Sequence, residues 1–361
     1  MWFHTNRPFS DLPFFPWIRN CVRHHPLAAF LLLILTPLML VLLLSSSLTA
    51  DGEMRGAIPH GGSKPIRLLP TLEYLNGTQI VWQMPAATKA VLFIAHGCYC
   101  RATFFWDRHP DCEECIGLPE ERVLILDALA KHYAVLAISS KGHCWSEVGD
   151  AAKVRSTLEY FIRQRSLQGL PVVALGASSG GYFISTFALQ FKFVALVVMI
   201  AEGAIKEKDI DRTYPPTLFV HMLKDAKRAY LVQKAMELLS SKGVLTAEVK
   251  CPEIPLTPHF FSERIPDFDQ KLSESIYTLL RENGFVDQSG FLKENSRAMN
   301  WQMSVKKRGV LPEDRSGKLK WEHHIQEELN LAYGYHEMTS LQSDIIFEWF
   351  DLHVSKFNAS R

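Results

Sequence analysis

Gly176-Ala177-Ser178-Ser179-Gly180-Gly181 carries the clearest chemistry in this sequence. It joins an apolar run at 171–176 to a helical pattern at 180–191. G-x-S-x-G has meaning in that strand–turn–helix setting. A turn this tight leaves no room for side chains at the flanking glycines and projects the serine hydroxyl above the sheet. The next helix aims its N-terminus at the reacting centre, where developing negative charge is favoured. The chemistry predicted is nucleophilic attack by Ser178. Ser179 fits only the looser Ala177-x-Ser179-x-Gly181, whereas Ser178 has true glycines on both sides. An ordinary Gly/Ser turn is the plain alternative.

The surrounding patterns must position that serine. Residues 71–75 and 79–84 flank Asn76-Gly77, a hairpin signal. Runs at 90–95, 134–139, 171–176, 194–200, 217–221 and 246–251 read as strands. Helical spacing occupies 119–131, 180–191 and 227–242, and a further helix runs to 165 with Asp150 as its N-cap. Near-continuous apolar strands separated by helices predict a mostly parallel sheet covered on both faces. From 252 onward the chain is polar and helix-rich, with helices expected at 269–283, 321–332 and 340–353. Residues 285–320 are too charged for core and read as a cap or surface layer.

Residues 71–260 resemble the α/β-hydrolase superfamily. Ala95-His96-Gly97 ends an early strand in the manner of the superfamily's His-Gly oxyanion loop. His221-Met222-Leu223-Lys224-Asp225 is similar to its H-G-x-x-D segment, with Met222 in place of the usual glycine. More narrowly, HGCYC, CEECIGLPEE, GASSGGYF, YPPTLFVHM and YHEMTSLQSD resemble a group of plant membrane-anchored α/β-hydrolase-like proteins. The resemblance implies a hydrolase domain over 71–353 and the chain order Ser, acid, His. Asp225 is then the acid that orients the imidazole, against the plain reading of a helix N-cap. Two histidines compete as base. His259, in PLTPHFF, directly follows the last strand. His336 precedes the final amphipathic helix, where the superfamily places its histidine, and is preferred. That choice makes about 260–330 a helical insertion; His259 would make the remainder an appendix. An ordinary surface or core histidine is the plain reading of either. His143 and His221 each end or follow an earlier strand. The oxyanion hole would use the backbone N–H groups of Cys98 and Ser179.

The N-terminal region is of another kind. Residues 27–44 are uncharged, and 26–48 is long enough to cross a bilayer, which takes about 20 residues. Arg7, Arg19 and Arg23 precede it and Asp51 and Glu53 follow, which places 1–25 in the cytoplasm. The alternative is a cleaved signal peptide ending among the small residues 45–50. Either way the chain after a Gly/Pro/Arg-rich linker at 49–70 faces a secretory lumen or the cell exterior, and residues 354–361 form a tail. The sequon Asn76-Gly77-Thr78 is a candidate glycosylation site. Of seven cysteines, Cys21 precedes the apolar segment, and Cys98, Cys100, Cys112, Cys115, Cys144 and Cys251 follow it. Four thiols at Cys98, Cys100, Cys112 and Cys115 could hold zinc, but an oxidising lumen favours disulfides, with connectivity open. Phe104-Phe105-Trp106, between those pairs, either lines the pocket mouth or packs the loop down.

The chain has 361 residues, 47% of them apolar, and a formal net charge of +1. That balance lacks the basic footprint of a nucleic-acid partner. The expectation is a serine hydrolase acting on a small-molecule or lipid carboxylic ester, with no metal or other cofactor. A catalytically inactive binding protein on the same fold and an acyltransferase are the alternatives.

Overall fold

The computed structural model describes residues 66–75, 77–204, 206–313 and 319–360. The expected tail at 1–25, the anchor at 26–48, most of the linker and the sequon residue Asn76 lie outside the described residues. Among the described residues no helix is long and apolar enough to cross a membrane.

Among the described residues eight strands form one sheet: β1 (Thr71–Leu75), β2 (Thr78–Gln83), β3 (Ala90–Ala95), β4 (Tyr133–Ile138), β5 (Val172–Ala177), β6 (Leu196–Met199), β7 (Thr217–Met222) and β8 (Thr246–Cys251). Their order is β1-β2-β4-β3-β5-β6-β7-β8. β1 and β2 form a hairpin, β2 pairs antiparallel with β4, and every other pairing is parallel. The composition explains the arrangement. AVLFIA, YAVLAI and VVALGA are buried along their whole length, as strands covered on both faces must be. The edge strand β8 instead alternates and carries Glu248 and Lys250 outward, which discourages edge-to-edge pairing.

The helices are α1 (Pro119–Ala130), α2 (Glu147–Gln164), α3 (Ser179–Phe187), α4 (Ala226–Ser241), α5 (Phe260–Arg264), α6 (Gln270–Glu282), α7 (Trp301–Arg308), α8 (Glu322–Tyr333) and α9 (Ser343–Ala359). Side chains alternate across each strand, so Leu92 and Ile94 join one core while Val91, Phe93 and Ala95 join the other. The first core takes Leu124 and Ile125 from α1 and Ile346, Phe347 and Phe350 from α9. The second takes Leu158 from α2, Phe183 and Phe187 from α3 and Val232 and Leu239 from α4. The result is an α/β fold with a mostly parallel central sheet.

Two expectations are corrected. Residues 285–320 are not a surface layer: Val286, Leu292, Met299, Trp301, Val305, Leu311 and Leu319 are buried in a third core shared with α5, α6 and α8. The charged residues between them masked a short apolar periodicity. The N-cap of α2 is Ser146, whose hydroxyl accepts from Gly149 N–H. Asp150 lies inside the helix, and its carboxylate holds the preceding loop by accepting from the Lys141 and Ser146 N–H groups.

Candidate active site

The β5–α3 turn is built by glycine. A Cβ at Gly176 would lie 2.4 Å from the Gly180 carbonyl oxygen, and one at Gly180 only 2.1 Å from the Ala95 carbonyl oxygen. Any larger residue would push helix and strand apart. Ser178 sits between them at φ +52° and ψ −114°, a left-handed φ that a non-glycine residue adopts only when its surroundings impose it. Its N–H is bonded to the Met199 carbonyl at 2.9 Å, fixing the turn to β6.

The Ser178 hydroxyl lies 3.0 Å from His336 Nε2. His336 Nδ1 lies 3.2 Å from Asp225 Oδ2. The other Asp225 oxygen, Oδ1, accepts from the Arg228 N–H and caps α4. The cap thus orients the carboxylate that faces the imidazole. Burial pushes the His336 pKa down, against an upward pull from Asp225 and with Arg228 and Arg297 adding to the fall. A neutral imidazole bonded to a carboxylate through Nδ1 presents a free Nε2 lone pair to the hydroxyl. His259 is elsewhere: it stands at the N-cap position of α5 and faces Glu274 at 3.6 Å. His221 pairs with Glu248 at the sheet edge, and His143 stacks on Tyr99.

The loop after β3 runs beside the nucleophile, since a Cβ at Gly97 would come 3.9 Å from Ser178 Cβ. Buried His96 braces it. Its Nδ1 lies 2.6 Å from the Gly97 carbonyl, while Nε2 accepts from Ser140 N–H at 3.0 Å. One donor and one acceptor describe a neutral ring, and burial lowers the pKa to about 4. Trp145 donates to the His96 carbonyl, and a disulfide joins Cys98 to Cys144. These ties fix the Cys98 backbone. Ser179 is the first residue of α3, so its N–H has no acceptor within the helix.

The cysteine loop takes the disulfide form. Cys98 pairs with Cys144 and Cys112 with Cys115, leaving Cys100 and Cys251 as thiols. The zinc alternative at Cys98, Cys100, Cys112 and Cys115 is thereby set aside, because the first of the four reaches the neighbouring β4 loop. Phe105 and Trp106 are fully buried in the first core, with Trp106 Nε1 donating to Gln83. They pack the loop down, while Phe104 is half-buried against His323. An open cavity of about 290 Å³ borders Ser179 and is lined by Trp145, Tyr182, Phe183 and Thr186.

Sequence reasoning missed the arginines beside His336. Arg228 pairs with Glu202 and bonds the Tyr182 hydroxyl. Arg297, from the turn before α7, bonds the His336 carbonyl. It also missed a group of buried glutamates behind the His336 loop. Glu120 accepts from Ser340 N–H at 2.6 Å and from the Thr339 hydroxyl, and pairs with Arg264. Glu121, Glu327, Glu328 and Glu337 surround it. The only sequence trace is the paired spacing Glu120-Glu121 and Glu327-Glu328, which any exposed helix also shows.

No family model matches the chain, and no curated protein matches it. Among solved structures, dienelactone hydrolase from Anabaena variabilis is 17% identical, with 51% of this chain and 87% of that one covered and a TM-score of 0.38. A sugar hydrolase from Lactococcus lactis is 15% identical over 60% of this chain and 95% of its own, at 0.39. A carboxylesterase from Lactobacillus plantarum is 11% identical over 60% and 98%, at 0.38. At these identities and scores the likeness carries no argument about this chain's reaction.

Proposed function

We propose that the chain is a serine hydrolase of carboxylic esters on an α/β-hydrolase fold, with Ser178 as nucleophile, His336 as base and Asp225 as the acid that orients it. The observation that carries this reading is the continuous relay from Ser178 Oγ to His336 Nε2 and from Nδ1 to Asp225, at 3.0 and 3.2 Å, with the serine held at a strained φ. His336 removes the Ser178 proton as Oγ bonds to the ester carbonyl carbon. The carbonyl oxygen becomes an oxyanion facing the Cys98 and Ser179 N–H groups, where fixed donors are worth several kcal/mol in a dry site. Collapse breaks the ester C–O bond, and the leaving alkoxide takes the proton from the imidazolium. Water, deprotonated by the same histidine, then releases the acyl group as a carboxylic acid.

Turnover of short-chain nitrophenyl esters by the purified domain tests the reading. Ser178→Ala should abolish it while Ser179→Ala keeps most of it, and equal activity in Ser178→Ala overturns it. The domain is read as facing a secretory lumen or the cell exterior, anchored through 26–48. The Arg bias before that segment and the sequon support this, as do two disulfides, which persist in oxidising compartments. An endoglycosidase-sensitive mass shift lost in Asn76→Gln is expected. A domain digested by protease in sealed microsomes would exclude that placement.

A further inference from the structure

His336 stands at φ +46°. Left-handed backbone is costly for a residue with a side chain, on the order of 1–3 kcal/mol, and persists where the surroundings over-determine it. Two residues earlier α8 has ended at Gly334, also left-handed, so the helix itself does not hold the histidine. A hold on it comes from the helical insertion. Arg297 Nη2 donates to the His336 carbonyl at 2.9 Å and to Glu337 Oε2 at 3.0 Å. The same Glu337 oxygen accepts from Asn330 Nδ2 at 2.6 Å, and Oε1 accepts from the Met338 N–H.

The arginine is itself held. Its N–H donates to Asn295 Oδ1 at 3.0 Å, and the next turn closes through Ala298 N–H to the Asn295 carbonyl. Ser296, buried in that turn, is bonded to Asn330, and Gln326 donates to both. The turn at 295–298, α8 and the His336 loop therefore form one closed hydrogen-bonded network. Within this network Arg297 makes the side-chain hydrogen bond to the His336 carbonyl.

The geometry points to Arg297 as a positioning residue for His336, supplied by the helical insertion: it clamps the base's carbonyl and so sets the direction of the imidazole toward Ser178. This rests on the hydrolase reading above. The insertion is then part of the catalytic apparatus and not merely a cover over it. The charged groups around the ring are Asp225 from the β7–α4 turn, Arg228 from the first turn of α4 and paired with Glu202, and Arg297 from the insertion, with Glu337 partly neutralising the last. Besides burial, the two arginines disfavour the imidazolium. Losing Arg297 should raise the His336 pKa.

Two measurements on the intact domain test this. The first is fluorophosphonate labelling of Ser178 from pH 5 to 9 in wild type, Arg297→Ala and Arg297→Lys, with melting temperatures recorded alongside. Arg297→Ala should label at least tenfold more slowly, with its acid limb moved to higher pH. Arg297→Lys keeps the charge and should keep the limb while recovering only part of the rate. The second is titration of the His336 ring by NMR, which needs no activity. Its midpoint should rise in Arg297→Ala and stay in Arg297→Lys. An unchanged rate and midpoint in Arg297→Ala overturns the inference. So does a slower rate with an unmoved limb and midpoint, the mark of a merely structural role. A wild-type domain that does not label overturns the hydrolase reading instead, while the NMR midpoint still decides whether Arg297 acts on His336.

Discussion

Raising the pH should loosen the contact between α1 and the helical insertion, because that contact is crowded with carboxyl groups. Glu120 and Glu121 at the start of α1 meet Glu327 and Glu328 of α8, with Glu337 adjoining, and Arg264 and Arg297 are the cations among them. Five carboxyls against two guanidiniums cannot all ionise out of water. Burial pushes Glu121 up to about 7 and Glu328 to about 8, and raises Glu327, bonded to Glu121, well above the ordinary range. The unfolded chain releases these protons near 4.5. Between that value and 7–8 the native state holds more protons than the unfolded state, so stability falls as pH rises. It is full below about 4.5 and lost through the folded values. Each such group contributes about 1.4 kcal/mol per pH unit, so Glu121, Glu327 and Glu328 together set a slope of up to about 4 kcal/mol per unit between pH 5 and 7. Urea unfolding at pH 5, 6 and 7 measures it. Glu327→Gln removes one raised carboxyl from the cluster, and should flatten the slope by that group's own share, about 1.4 kcal/mol per unit. Stability rising from pH 5 to 7, or an unaltered slope in Glu327→Gln, would refute the reasoning.

His336→Ala should reduce ester turnover by roughly three orders of magnitude or more, as loss of one member of a cooperating triad does, while His259→Ala changes it little; steady-state rates decide. Because burial lowers the His336 pKa and the base acts only when neutral, the acid limb of the pH–rate profile should lie below ~6.5, the ordinary histidine value. Cys144→Ser opens the disulfide that ties the Cys98 loop to β4. It should cost about 2–4 kcal/mol of stability and slow labelling of Ser178, read by denaturation and by probe kinetics below the melting temperature.

The elbow was legible because its chemistry is written in glycine: Gly176 and Gly180 leave no alternative residue where backbone atoms come within 2.4 Å of a would-be Cβ. The parallel sheet was legible because strands such as AVLFIA admit no polar face. Asp225 could be placed by its strand. The choice between His259 and His336 rested on which side of the insertion closes the domain, and spacing alone does not say that. Three features were hidden for physical reasons. The core of 285–320 is spread over short segments, its apolar residues interspersed with polar and charged ones. The Cys98–Cys144 bridge joins residues 46 apart in sequence; its trace is that each cysteine follows a strand and those strands, β3 and β4, are neighbours. The buried glutamates and Arg297 act across the insertion, where no local pattern records a partner.

Mass-spectrometric mapping of a fluorophosphonate adduct on the folded domain tests the central claim most directly. The account predicts one modified residue, Ser178, with labelling lost in Ser178→Ala and slowed in His336→Ala. An adduct on Ser179 or elsewhere, or labelling that persists in Ser178→Ala, would contradict it.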